Sequence, residues 1–297
     1  MADSKRSAHA LLHLTVLVWG CTALLGRSIS IAAIPLVWYR LLLVVPMMAA
    51  LVVVKRVGFF APRQLTRAWL GIGVLVAVHW VMFYGCIKEA GVAVAVLCLS
   101  TGPFFTALVE PLVFRRKTDG RELALGAAVV MGVALLVNIE TPATPAGLAL
   151  GMGSAVLSAT FGTLNGRFAK GQPPDRVTFY ELTSAAVATT FFFLVWPEDF
   201  VTPQSLSALD AGLLLALAFF CTVLPWQWSL RVVQTLSPYT IAMVVALEPV
   251  YSMGLSFLLF PDTEVLGARF YFGASVLVAL VVLNTALKRE ASSPLST

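Results

Sequence analysis

Long stretches of this chain contain no Asp, Glu, Lys or Arg at all, among them Leu41–Val54, Ala90–Val109, Thr141–Gly166, Ala211–Leu230 and Phe270–Leu287. Four of these five run for 18 residues or more, the length at which a helix crosses the hydrocarbon core of a bilayer. Composition points the same way. Apolar residues make up 59% of the chain and charged residues 12%, against about 45–50% and about 25% in soluble domains. The 20 basic and 15 acidic side chains are too few to solvate a globule of 297 residues, and they gather between the apolar runs. Soluble-enzyme, nucleic-acid-binding and disordered folds are excluded on this ground. The net charge of +5 reads as membrane topology.

The runs are continuous rather than alternating, and backbone groups in lipid are satisfied within each segment, so helices are expected and not a β-barrel. Ten spans are predicted, at about Ala8–Gly26, Pro35–Val54, Ala68–Cys86, Val92–Phe114, Leu123–Ile139, Ala146–Phe168, Val177–Trp196, Ala211–Leu230, Tyr239–Phe260 and Gly267–Leu287. Prolines such as Pro62, Pro142, Pro173, Pro197 and Pro261 punctuate the connections. With the N-terminus inside, 16 basic residues fall on the inner side and only Arg27, Lys88 and Arg269 outside. That asymmetry predicts cytoplasmic termini in a multi-pass bacterial inner-membrane protein. Span one is retained rather than cleaved, since bulky Trp19 is a poor processing site. The four cysteines have no metal-ligand spacing, and neither disulfide, metal nor other cofactor is expected.

The halves repeat. Trp80 and Trp226, Pro103 and Pro249, and Asn138 and Asn284 are each separated by 146 residues, and Leu24-Leu25-Gly26-Arg27 echoes Leu164-Asn165-Gly166-Arg167. One membrane domain is therefore expected, built from five-helix repeats at 1–140 and 141–290 with a cytoplasmic tail at 291–297. Five is odd, so the second copy enters from the opposite side. Such an inverted-topology repeat gives a carrier two near-mirror states around one mid-membrane site.

Ten spans in a 5+5 repeat, Trp19-Gly20 in span one, Trp38-Tyr39-Arg40 in span two, Leu99-Ser100-Thr101-Gly102-Pro103 in span four and Leu247-Glu248-Pro249 in span nine together resemble the EamA-type transporters of the drug/metabolite transporter superfamily. Soon after the motif of span four, where that family usually carries an acidic residue, this chain reads Arg115-Arg116-Lys117. The resemblance implies an all-helical integral membrane fold and secondary transport. Its bacterial members include exporters of amino acids, aromatic ones among them, so export of such metabolites is the leading expectation.

Polar and aromatic groups at mid-depth are the binding candidates, because lipid burial costs free energy without a cavity or partner. His79 is foremost, with Phe83 on its face of span three; imidazole suits a substrate carboxylate or amine, or a structural bond to a neighbouring helix. On span six Ser154, Ser158, Phe161 and Asn165 share a face, with close packing the alternative role for the serines. Trp19, Thr101, Phe161, Trp226 and Glu248 complete the set. Trp38, Trp69 and Trp196 lie near span ends and read as interfacial anchors. Pro103 and Pro249, near the middle of their helices, and Pro225 are expected to kink them, to free carbonyls such as that of Leu99 and to act as hinges. Arg40 is expected to snorkel to the outer surface, and Glu181, near the inner end of span seven, to be solvated or to serve an inner gate.

A small-molecule substrate and the lipid bilayer are the expected partners, a monomer the expected assembly. Nucleotide-sugar or sugar-phosphate exchange is the second transport reading, disfavoured because only Arg40 supplies a cation within a span. Intramembrane hydrolysis lacks its motifs: no Gly-x-Ser-x-Gly nucleophile, no His-Glu-x-x-His pair and no two intramembrane aspartates occur. A membrane scaffold or receptor would leave the repeat without a use.

Overall fold

A computed structural model describes residues 2–136, 144–259 and 268–290, all of whose regular elements are helical. The first half contains α1 (Ala2–Ser28), α2 (Ala33–Val54), α3 (Arg63–Leu99), α4 (Gly102–Phe114) and α5 (Gly120–Leu136). The second contains α6 (Pro145–Phe168), α7 (Pro174–Phe192), α8 (Ala208–Ala218), α9 (Leu224–Val233), α10 (Pro238–Val245), α11 (Glu248–Leu259) and α12 (Ala268–Glu290). Among the described residues five helical stretches are individually long and apolar enough to cross a membrane: Lys5–Ser28, Ala33–Val54, Arg63–Leu99, Pro145–Phe168 and Ala208–Val233. Several other expected spans are made of shorter pieces, and the breaks have identifiable causes.

At 37 residues α3 would be about 55 Å long if straight, too long for one crossing. It is two helices in sequence. Gly91 takes φ 86° and ψ 167°, a backbone geometry open to glycine and strained for any side chain. The reversal shows in the packing: a Cβ placed on Gly151 would lie 2.8 Å from Cys98 and 3.0 Å from the sulfur of Cys86. Twelve residues of straight helix would separate those cysteines by about 18 Å; instead both meet the same point on α6.

Span four then breaks again at Ser100 and Thr101, whose hydroxyls turn back onto the carbonyls of Val96 (2.8 Å) and Cys98 (2.6 Å). Here the expectation for the prolines is corrected. Pro103 does not kink a continuous helix; it lies in the first turn of α4, where a missing N–H costs nothing. Pro249 likewise follows the first residue of α11, after the turn at Ala246 and Leu247 separates that helix from α10. Pro225 lies in the first turn of α9, just after a π-helical turn, Phe219–Val223, in which the Thr222 hydroxyl donates to the Leu217 carbonyl at 2.7 Å.

Packing is tightest where α6 lies on α3. Gly147, Gly151, Ala155 and Ala159 repeat every four residues along the buried face of α6, the small-residue stripe that lets membrane helices approach closely. The packing pattern also maps onto itself when the halves are exchanged. The contact of α1 with α9 matches that of α6 with α3; α1 with α11 matches α6 with α4; α2 with α8 matches α7 with α3. The pairs α2–α7 and α5–α12 are their own counterparts, and α4 with α10 matches α11 with the end of α3.

Leu112, Met131, Val187, Leu194, Phe220 and Val282 are exposed on the outside, while Arg40, His79, Asn165, Glu181, Gln227 and Glu248 are buried within. This polarity is inverted relative to a water-soluble globule and suits lipid around a polar interior. Trp196 is among the exposed residues, in keeping with an anchor, but Trp69 is fully buried and donates to the Phe168 carbonyl at 3.1 Å. It locks α3 to α6 and is no interfacial anchor. Of the repeat pairs, Asn138 lies outside the described residues, as do Ile139, Pro142, Phe260, Pro261 and the tail 291–297.

Candidate functional site

The repeat-related tryptophans meet at the centre. Trp80 and Trp226 pack edge to face, centroids 5.4 Å apart at 77°. Phe161 of α6 stacks on Trp226 (5.7 Å, 28°) and takes the edge of His79 (5.2 Å, 63°), which lies parallel to Phe83 (6.2 Å, 22°). This aromatic wall separates two adjoining chambers. One, with ≈ 730 Å³ of empty space including the part open to solvent, reaches Thr106, Asn165, Ser229 and Pro238. The other, with ≈ 530 Å³ on the same measure, is bounded by Thr22, Arg40, His79, Phe83 and Glu248. Trp19, Leu99, Ser158, Phe161, Trp226 and Val245 belong to both. Leu99 and Val245 stand four residues before Pro103 and Pro249, so each has a carbonyl that its proline cannot bond.

His79 Nδ1 lies 2.8 Å from the Ser154 carbonyl and 2.9 Å from its hydroxyl. A carbonyl only accepts, which assigns the proton to Nδ1. Nε2 then carries the lone pair and has no hydrogen bond among the described residues. The structural and the binding role of this histidine thus fall on different nitrogens.

Arg40 overturns its expected place. Rather than snorkelling outward it is buried at 2% exposure and borders the second chamber. Its Nε donates to the Thr222 hydroxyl (2.6 Å), Nη1 to the Tyr84 hydroxyl (2.9 Å) and Nη2 to the Cys221 carbonyl (3.4 Å). That carbonyl is available because Pro225, four residues on, has no N–H. The guanidinium carbon lies 3.9 Å from the centroid of the Trp80 ring, a cation–π contact. No carboxylate pairs with it among the described residues. Glu248, 3% exposed, borders the same chamber and has no ion-pair partner there either.

Glu181 is the second correction. It is fully buried rather than solvated, and its Oε2 accepts from Trp226 Nε1 at 3.0 Å. It stands behind the tryptophan and outside the chamber lining. The signal for both missed residues was present: Trp38-Tyr39-Arg40-Leu41 and Phe179-Tyr180-Glu181-Leu182 correspond at a spacing of 141, between the 140 of the Gly-Arg pairs and the 146 of the tryptophans. Each half thus sets one charged residue of its second span against the tryptophan of its third.

Of the sequence candidates, Trp19, His79, Phe83, Ser158, Phe161, Asn165, Trp226 and Glu248 line one or both chambers. Thr101 does not, its hydroxyl being used by the Cys98 carbonyl. Ser154 is occupied by His79. Polar links tie the two faces of the bundle beyond the chambers. Asp210 receives the Ser30 N–H (2.7 Å) and hydroxyl (2.7 Å), and Lys88 donates to the Ile29 carbonyl. At the opposite ends Lys55 pairs with Asp175 (2.6 Å), and the Tyr239 N–H donates to Glu110 (3.0 Å).

The model of the EamA-like transporter family matches the chain twice, at residues 6–138 and 145–286. No curated protein matches. A solved crystal structure at 15% identity superposes with a TM-score of 0.76, covering 97% of this chain and 99% of that one, which is a likeness of fold.

Proposed function

The chain belongs to the EamA-like transporter family, a family of membrane transporters of small substrates, and we propose that it exports amino acids with apolar or aromatic side chains by alternating access. The observation that carries the reading is the second chamber, where Arg40 and Glu248 face one space without pairing with each other. A zwitterion supplies what each lacks: its carboxylate meets the guanidinium, in the bidentate geometry that suits Arg, and its ammonium meets Glu248. Phe83, Phe161 and Trp226 give a side chain an aromatic bed. His79 Nε2 adds one acceptor for the ammonium. Sugar phosphates are poorly served, since a doubly charged headgroup would meet a single cation and a carboxylate.

In this reading the ten spans form two oppositely inserted five-helix units in a bacterial inner membrane, with both termini cytoplasmic. The self-mapping of the helix packing supports it. The test is counterflow in sealed vesicles loaded with unlabelled phenylalanine or leucine. Labelled amino acid should accumulate transiently, and an excess of its amide derivative should compete poorly. Absence of counterflow across the amino-acid panel would favour the scaffold reading.

A further inference from the structure

Two acceptor oxygens lie buried beside Trp226 without a partner: Oε1 of Glu181 and Oδ1 of Asn165. The Asn165 amide is within hydrogen-bonding reach of the Glu181 carboxyl, and the other carboxyl oxygen is already committed to the Trp226 indole. Neutral donors alone do not meet the cost of burying an ionised carboxylate, several kcal/mol, and a proton on Oε1 removes it. Asn165 serves either protonation state, its amide N–H donating to the carboxylate or, turned over, its oxygen accepting the acid O–H, while Oε2 keeps its indole donor.

No cation among the described residues offers a substitute. On α2, Lys55 is paired with Asp175 and Arg40 is bound to Thr222, Tyr84 and Cys221. On α3, His79 is bound to Ser154, and on α9 Arg231 is exposed. None of them forms an ion pair with Glu181. From α3, Gly73 presses on the Glu181 backbone so closely that no side chain would fit, which fixes the carboxyl where it is. Trp226 connects this carboxyl to both chambers, and Asn165 reaches the larger one.

We propose that Glu181 is a proton-binding site that couples proton movement to ligand movement through Trp226 and Asn165. A proton from chamber water bonds to Oε1, and the neutral acid is held by Asn165. When the wall of Trp226 and Phe161 shifts around a ligand, water reaches the carboxyl, the O–H bond breaks and the proton leaves to that water. The carboxylate is then stabilised by the indole N–H. Proton and ligand are thereby exchanged across one shared tryptophan. This rests on the carrier reading above and goes beyond it by naming the coupling ion and its residue.

The experiment uses the full chain in sealed vesicles, labelled phenylalanine and an entrapped pH dye. In the wild type, phenylalanine efflux is expected to change the luminal pH, and an imposed pH gradient to accelerate net flux several-fold. Glu181→Gln should keep counterflow at equal pH but lose both effects, and Glu181→Asp should recover them in part. Infrared difference spectra should show a carboxylic-acid band in the wild type that Glu181→Gln removes. Phenylalanine counterflow in the wild type without any luminal pH change would overturn the proposal and leave the carrier reading standing. The same follows if Glu181→Gln remains gradient-driven, or if its infrared band is unchanged. Absence of counterflow in every variant and the wild type would overturn both.

Discussion

Withdrawing a guanidinium from water costs several kcal/mol unless its donors and charge are met, and Arg40 meets that cost without an acid. Three acceptors and an indole face hold it, and the remaining positive potential is directed at a chamber. A ligand carboxylate there gains charge-assisted hydrogen bonds, each worth about 1.5–3 kcal/mol. Arg40→Lys keeps the charge but loses the planar fork. Its dissociation constant for phenylalanine should rise about 10- to 100-fold, while that for phenylalanine amide changes little; equilibrium binding of both compounds to the detergent-solubilised protein checks this. An equal loss for both would mean that Arg40 only shapes the wall. Most of the chamber was legible in the sequence because aromatic and polar residues at mid-depth of an apolar run have few other uses. Arg40 and Glu181 were not, because distance from a span end does not tell a snorkelling side chain from one turned inward. Only the matching Tyr-Arg-Leu and Tyr-Glu-Leu of the two halves gave their equivalence away.

Helix by helix, the charge-free runs reported where membrane segments lie, and the reversal at Gly91 falls between spans three and four as expected. What the runs did not convey is continuity. Proline signals a missing hydrogen bond, yet the same residue can bend a helix or begin a new one, and the decision at Pro103 and Pro249 was made by the turns before them. Two helix ends therefore abut in each of spans four and nine, with Leu99 and Val245 at the chamber edge. Such a joint changes angle by adjusting two turn residues rather than by straining a continuous hydrogen-bond ladder. Pro249→Ala restores an N–H for the Val245 carbonyl and favours one continuous helix from α10 into α11. Counterflow should slow several-fold while the phenylalanine dissociation constant stays within about twofold, a difference of about 0.4 kcal/mol. Turnover at the wild-type rate would assign the break to packing alone.

Across the whole molecule, exchange of the halves maps the main contacts of α1 and α2 onto those of α6 and α7, yet the central residues are not copies. The basic Arg40 of one half corresponds to the acidic Glu181 of the other, each against its own tryptophan. An alternating-access carrier built this way has two states of similar packing but different electrostatics, which gives a ligand and a proton separate places to act. The premise is opposite insertion. The loop between α2 and α3 and the loop between α7 and α8 are then equivalent positions on opposite sides of the bilayer. Phe60 and Ser205 represent them, both exposed, while Cys86, Cys98 and Cys221 are buried and Cys21 is half-buried. In intact cells a membrane-impermeant maleimide should label Ser205→Cys and not Phe60→Cys; in inside-out vesicles the preference should reverse. Labelling of both from one side would place the halves in the same sense, remove the relation between two mirror states, and with it the physical basis for carriage across the membrane.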